Sequence, residues 1–73
     1  MILITGCAGY IGSQLSYIFK KRKLNFIGLD NLEYSYRKNY PLKKNFFKLD
    51  ISSNQINKLI KQNKIKTVIH CAA

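Results

Sequence analysis

Acidic residues are the scarcest charged residues in this sequence. Three aspartates and glutamates stand against 13 lysines and arginines, which gives a formal net charge of +10. A charge this positive is one mark of a nucleic-acid-binding protein. However, the cations are mostly scattered lysines, whereas phosphate contacts favour arginine, whose planar fork matches phosphate oxygens. Lysine is abundant together with asparagine and isoleucine. We therefore interpret the positive charge as part of a general compositional bias and expect no nucleic-acid partner.

Histidine, cysteine and long apolar runs are also scarce. His70 is the one histidine, and its neighbour Cys71 points to the opposite face of a predicted strand, so the pair does not form a metal-ligand cluster. We interpret His70 as a packed strand residue, and Cys7 and Cys71 as reduced thiols. No apolar run approaches the ~20 residues of a membrane helix, and Met1 leads into a strand pattern instead of a secretory leader. The sequence thus predicts a cytoplasmic chain without a metal site or a membrane segment.

Glycine is scarce as well, but three of the four glycines form one motif. Gly6, Gly9 and Gly12 recur at a spacing of three, after the apolar run 2–4 and before a segment with helical periodicity. A strand, a glycine-rich turn and a helix start build a phosphate cradle, because glycine lets the backbone approach the anion and the helix N-terminus attracts it. The spacing differs from the dinucleotide fingerprint G-x-G-x-x-G, so the motif alone also allows a tight connection without a ligand.

Strand and helix patterns alternate along the chain, which with 73 residues has room for one domain at most. The predicted strands are Ile2–Thr5, Phe26–Leu29, Asn45–Leu49 and Thr67–Cys71, and the predicted helices are Tyr10–Arg22 and Ser53–Gln62. Segment 31–44 contains Pro41 and is predicted as a loop with at most one or two helical turns near 36–39. The alternation predicts an α/β fold, a partial doubly wound parallel sheet in the order 3-2-1-4, truncated after strand four.

The outer edge of predicted strand four would be open and apolar, at Val68 and Ile69. Complete proteins avoid such an edge because it is a template for aggregation. We therefore expect residues 1–73 to be the N-terminal half of a nucleotide-binding domain, with no substrate domain.

Each predicted helix carries an apolar stripe that would lie on the sheet. The stripe of the first helix is Ile11, Leu15, Ile18 and Phe19, and that of the second is Ile56, Leu59 and Ile60. Segment 52–55 is typical of a capping box, in which Ser52 would cap the second helix and Gln55 would reach back to it.

Two aspartates stand at the ends of predicted strands. Asp30 lies 18 residues after Gly12, near the ~20 expected for an acid that binds a nucleotide ribose. Its carboxylate would accept hydrogen bonds from both ribose hydroxyls and repel a 2′-phosphate, which predicts NAD and not NADP. Asp50, followed by Ile51, would reach the adenine. The alternatives are a solvated strand-end acid at Asp30 and a helix N-terminal acid at Asp50.

Four segments together resemble the extended short-chain dehydrogenase/reductase family, and within it the branch of UDP-glucose 4-epimerases. They are Thr5–Ser13 (TGCAGYIGS), Leu29–Leu32 (LDNL), Leu49–Ile51 (LDI) and Val68–Ala73 (VIHCAA). The chain departs from the family pattern at Gln14 and Leu49, and at Lys23, where a helix-ending glycine is usual. If that position needs a positive φ, lysine there costs on the order of 1 kcal/mol.

The resemblance implies a Rossmann-type fold, NAD as the cofactor and a nucleotide sugar as the substrate of the parent enzyme. It assigns the pyrophosphate to Gly6, Gly9, Tyr10, Ile11 and Gly12, the adenosine ribose to Asp30, Asn31 and Ser35, the adenine to Asp50 and Ile51, and the remaining pyrophosphate and nicotinamide ribose contacts to Cys71, Ala72 and Ala73.

Enzymes of this branch interconvert UDP-glucose and UDP-galactose through a 4-keto intermediate, with a tyrosine and a lysine four residues later as the catalytic pair. A lysine follows four residues after Tyr17, Tyr34 and Tyr40. The resemblance puts the catalytic pair well beyond Ala73, however, so we assign no catalytic residue and expect this chain alone to be inactive. The same segments also fit a related sugar-nucleotide dehydratase or decarboxylase, or a non-catalytic remnant. A homodimeric parent is one option that the resemblance leaves open.

Overall fold

The computed structural model describes residues 1–33 and 45–71, which form a parallel sheet between two helices. The elements are β1 (Ile2–Thr5), α1 (Tyr10–Lys21), β2 (Phe26–Asp30), β3 (Phe46–Lys48), α2 (Gln55–Gln62) and β4 (Thr67–His70). The strands of the described residues run in the order β3-β2-β1-β4 and pair in parallel. The predicted fold class and strand order are therefore confirmed. The predicted helical turns near 36–39 lie outside the described residues.

The two central strands are the buried part of the sheet. Every residue of β2 is buried, and so are Leu3, Ile4 and Thr5 of β1. Thr5 lies opposite Leu29 on β2 and opposite His70 on β4. Because parallel strands end at the same edge of a sheet, the residues that follow β1, β2, β3 and β4 meet there.

Helix α1 covers one face of the sheet, and its buried side overlaps the predicted stripe only in part. Leu15 and Phe19 pack against the core around Ile4 and Phe26, as expected. The prediction that Ile11 and Ile18 join them is wrong, since Ile11 is 69% exposed and Ile18 is also exposed. Gly12 and Ser16 take their places on the buried side of the helix. Two small residues there let the helix approach the sheet closely.

Helix α2 covers the opposite face. Leu59 is buried among Leu3, Ile27 and Leu29, and Ile56 and Ile60 pack against that cluster, as predicted. Burying a leucine of this kind contributes about 1.5–3 kcal/mol relative to leaving it in water.

The predicted capping box at the start of α2 is wrong. The helix begins at Gln55, and its N-cap Asn54 makes no side-chain capping bond. Ser52 instead donates its hydroxyl to Asp50 Oδ1 at 2.8 Å, and Ser53 Oγ accepts the N–H of Gln55 at 3.1 Å. An ionised carboxylate is a stronger acceptor than a neutral group, so it holds the serine in the turn before the helix.

Both helices end in the same hydrogen-bonded turn, closed by a lysine in the left-handed region. Lys23 has φ 58° and Lys64 has φ 53°. After α1, the N–H of Leu24 bonds the carbonyl of Phe19 at 3.0 Å. The bond from Ile65 after α2 is equivalent. This is the Schellman arrangement, in which glycine is usual at the left-handed position.

Replacing Lys23 by glycine should stabilise the protein by about 0.5–1 kcal/mol. The left-handed conformation costs lysine roughly 1–2 kcal/mol, and the extra freedom of glycine in the unfolded chain offsets part of the gain. Lys21→Gly is the matched control, because it lies two positions earlier inside α1 and should destabilise by about 1 kcal/mol. Urea unfolding followed by circular dichroism measures both. A Lys23→Gly protein less stable than the wild type would contradict the prediction.

Strand β4 forms one edge of the sheet. It pairs with β1 on one side and with no other strand of the described residues, and Val68 is 50% exposed. Within those residues, neither helix has the length and apolar character that crossing a membrane requires.

Candidate functional site

The glycine turn after β1 is built on close backbone contact. Gly6 has φ 67°, and its carbonyl accepts the N–H of Gly9 at 3.1 Å. A Cβ added at Gly12 would lie 2.8 Å from the carbonyl carbon of Gly6 and 2.9 Å from Cys7 Cα. Side chains do not tolerate such distances to backbone, so the first turn of α1 can lie on the glycine turn only with glycine at position 12.

The N-terminus of α1 is open toward the same edge of the sheet. Gly9 is the N-cap, the first turn contains no acidic residue, and no side chain caps the helix. The helical ladder begins with the N–H of Ser13, which bonds the Gly9 carbonyl at 2.9 Å. The N–H groups of Tyr10, Ile11 and Gly12 precede that ladder. Such groups, with the positive end of the helix dipole, bind anions.

Asp30 lies at the mouth of this turn. It is only 7% exposed, and its Oδ2 accepts the N–H of Ala8 at 2.9 Å. Its Oδ1 accepts the N–H of Leu32 at 2.8 Å. The structure therefore brings the predicted ribose-binding acid and the glycine turn into direct contact.

Asp50 is exposed at the end of β3 and belongs to the same edge. Its Oδ1 accepts both the N–H of Ser52 at 2.9 Å and the Ser52 hydroxyl. These hydrogen bonds, the backbone one first, together with a contact from Asn31, hold the pKa of Asp50 below its usual value of 3.8. The side chain is thus a carboxylate at neutral pH.

Asn31 links the predicted ribose and adenine positions. Its Nδ2 lies 3.4 Å from Asp50 Oδ2 and 3.5 Å from Glu33 Oε2, both long for a hydrogen bond. All three acidic residues of the chain, Asp30, Glu33 and Asp50, are therefore grouped at this edge. Glu33 was not among the predicted site residues.

The end of β4 lies at the same edge of the sheet, on the opposite side of β1 from β2. Thr5 Oγ1 and His70 Nδ1 lie 2.8 Å apart, and the N–H of Cys71 bonds the Thr5 carbonyl at 3.0 Å. His70 is exposed, so its interpretation as a packed residue is wrong, because β4 is an edge strand. The Thr5–His70 contact was not predicted, although the two residues are in register.

The remaining predicted residues divide into two groups. Cys7 is buried and Cys71 half-buried on the α1 side of the sheet, with no disulfide between them. Ser35, Ala72 and Ala73 lie outside the described residues. Within residues 1–33 and 45–71, no set of three histidine, cysteine, aspartate or glutamate side chains is placed so that it could hold a metal ion.

This arrangement can bind a ligand with an anionic centre and a hydroxylated end. The N–H groups of the glycine turn and of α1 are donors for the anion. The carboxylate of Asp30, in contact with the turn through Ala8, is an acceptor for hydroxyls. A dinucleotide carries both features, with its pyrophosphate beside its adenosine ribose.

Several proteins with similar sequences or structures are named as epimerases. A Methanocaldococcus jannaschii protein provisionally named UDP-glucose 4-epimerase is 36% identical over the full chain. The epimerase structure from Methanothermobacter thermautotrophicus superposes on 99% of the chain with a TM-score of 0.87 and 39% identity. UDP-glucose 4-epimerase of Thermus thermophilus, crystallised with NAD, superposes on 99% of it with a TM-score of 0.88 and 33% identity.

The chain spans about a quarter of the length of these relatives: 24%, 22% and 24% respectively. The sequence model of the NAD dependent epimerase/dehydratase family matches residues 2–73. The glycine turn, Asp30 and the ends of all the strands lie inside that match. The chain belongs to the NAD dependent epimerase/dehydratase family.

Proposed function

We propose that this chain is the NAD-binding portion of a nucleotide-sugar epimerase that interconverts UDP-glucose and UDP-galactose through a 4-keto intermediate. The observation that carries the proposal is the 2.9 Å hydrogen bond between Asp30 and the N–H of Ala8. It brings an acceptor for ribose hydroxyls against the turn whose N–H groups would bind the pyrophosphate. The identity of 36% with a protein provisionally named UDP-glucose 4-epimerase supports the choice of reaction.

The residues present fit a dinucleotide. A Cβ at Gly12 would collide with Gly6, so glycine at this position lets α1 start directly on the glycine turn. The first N–H groups of α1 then face the pyrophosphate site. The proposed pyrophosphate contacts are Gly6, Gly9, Tyr10, Ile11 and Gly12, with Cys71, Ala72 and Ala73 continuing toward the nicotinamide ribose.

The adenosine end would lie across β2 and β3. Asp30 and Asn31 are the proposed ribose contacts, with Ser35 in the following loop. Asp50 would accept from the adenine amine, and Ile51, an exposed apolar side chain at the same edge, would cover the ring.

NAD, when bound, supplies the hydride acceptor and donor of the epimerisation. The described residues of this chain bind and orient the dinucleotide, and none of them is assigned to the proton transfer at the sugar. The sugar nucleotide and the catalytic tyrosine and lysine belong to the remainder of the proposed parent enzyme. A cytoplasmic location is part of the proposal, since the cysteines form no disulfide and thiols persist in a reducing compartment.

Calorimetric titration of this chain with NAD tests the proposal. We expect saturable binding with a Kd on the order of micromolar, about 8 kcal/mol of binding free energy. NADP is the matched control ligand and should bind at least about tenfold more weakly, because its 2′-phosphate meets the carboxylate of Asp30. Absence of saturable NAD binding would contradict the proposal and favour a non-catalytic remnant.

A further inference from the structure

We propose that Asp30 is also a positioning residue, which holds the glycine turn in its binding shape before any nucleotide arrives. This role rests on the proposed function, because the turn is the one assigned to the pyrophosphate. It is separate from the proposed contact between Asp30 and the ribose. It concerns the amide groups that the carboxylate bonds within the protein itself.

The first argument is that the side chain extends the sheet ladder. The last backbone bond between the β1 segment and β2 runs from the N–H of Cys7 to the carbonyl of Leu29 at 3.1 Å. The next N–H, that of Ala8, bonds the side chain of Asp30 at 2.9 Å. The carboxylate thus fixes the turn one residue beyond the point where the backbone ladder ends.

The second argument is that the same carboxylate fixes a second turn. Its Oδ1 accepts the N–H of Leu32, a residue with φ 61°. Asp30 therefore joins the turn after β1 to the turn after β2. The two turns carry the proposed pyrophosphate and ribose contacts, so one side chain sets their relative position.

The third argument is burial. Ala8 is 0% exposed, and Asp30 is 7% exposed. A buried N–H that loses its acceptor is costly to leave unsatisfied. Without the carboxylate, the turn at Ala8 has to open toward water or shift to another acceptor, and either change moves the neighbouring N–H groups.

The negative charge of Asp30 and its positioning role lead to opposite predictions for anion binding. Asp30 carries a negative charge beside the proposed pyrophosphate site, so its removal should strengthen anion binding if charge alone matters. If Asp30 holds the turn, its removal should weaken anion binding. The sign of the change therefore separates the two effects.

The first test is amide hydrogen exchange of the chain without nucleotide, in wild type, Asp30→Ala and Asp30→Asn. Leu3 in the centre of the sheet is the internal reference. In Asp30→Ala, exchange at both Ala8 and Leu32 should be at least about tenfold faster relative to Leu3. In Asp30→Asn, which keeps one oxygen and the side-chain shape, at least one of the two amides should accelerate to that extent. Unchanged ratios in Asp30→Asn would overturn the proposal.

The second test is titration with inorganic pyrophosphate, which has no ribose. Asp30→Asn should bind it at least about threefold more weakly than wild type, despite the lost negative charge. Glu33→Gln, which removes an exposed carboxylate that does not contact the turn, is the matched control and should bind it as tightly or more tightly.

Equal or tighter binding by Asp30→Asn, or no pyrophosphate binding by the wild type, would overturn the positioning role. Failure of NAD binding with the exchange result intact would contradict only the proposed function.

Discussion

Replacing Gly12 by alanine is expected to lower the affinity for NAD by about 100-fold, the loss of two charge-assisted hydrogen bonds of about 1.5 kcal/mol each. The added Cβ would lie 2.8 Å from the carbonyl carbon of Gly6, which is backbone and cannot rotate away. The first turn of α1 must therefore move off the glycine turn. We also expect the free energy of unfolding to fall by about 1–3 kcal/mol, the usual cost of overpacking.

Gly9→Ala is the matched control for stability. A Cβ at Gly9 would lie 3.4 Å from the Gly6 oxygen, which is an ordinary contact, and the residue has φ −78°. This variant should lose only about 0.5–1 kcal/mol, since alanine is a poorer N-cap than glycine but meets no close backbone contact here. Urea unfolding and NAD calorimetry measure both variants. Wild-type stability and affinity in Gly12→Ala would show that the close contact does not shape the site.

Replacing Asp30 by alanine is expected to weaken NAD binding by about 100-fold and NADP binding by less than about tenfold. For NAD, hydrogen bonds to a charged acceptor are lost, each worth about 1.5–3 kcal/mol. For NADP, loss of repulsion between the carboxylate and the 2′-phosphate offsets part of the damage. The preference for NAD should therefore shrink at least about tenfold.

Glu33→Gln controls for the negative charge of this edge. Glu33 is exposed and its N–H bonds Asn31, so its removal should change the NAD to NADP ratio by less than about threefold. The ratio is measured by calorimetry with each nucleotide. Equal losses for the two nucleotides in Asp30→Ala would remove the assignment of Asp30 to the ribose.

The topology could be predicted from sequence because it depends on local patterns. Short apolar runs alternate with helical periodicity, and right-handed crossovers leave few arrangements of the strands. The buried side of α1 could not be predicted in the same way. Gly12 and Ser16 carry no hydrophobic signal, and they are buried because close approach to the glycine turn selects small residues there.

The left-handed lysine after α1 was predictable, whereas the start of α2 was not. The resemblance put Lys23 where a helix-ending glycine is usual and raised the condition of a positive φ there, and Lys23 has φ 58°. Lys64 adopts the same conformation without any such warning. At the start of α2, competition between Asp50 and the helix amides for Ser52 depends on where β3 ends. No spacing in the sequence specifies that point.

The location of Asp30 was predictable, but its bonds to Ala8 and Leu32 were not. The rule that parallel strands end together brings the carboxyl end of β2 beside the turn after β1. Which amides the carboxylate meets depends on its rotamer and on the backbone angles of two turns. The roles of the site residues toward a nucleotide remain predictions for the experiments above.

The hydrogen bond from Ala8 to Asp30 also bears on how cofactor preference could change in evolution or by design. A serine or an arginine at position 30 would bind a 2′-phosphate. Neither supplies a carboxylate that bonds both the turn after β1 and the turn after β2. A single substitution at position 30 would therefore gain a contact with the 2′-phosphate and lose the hydrogen bonds that hold the two turns. A working switch therefore requires a second substitution nearby that restores an acceptor for the Ala8 amide.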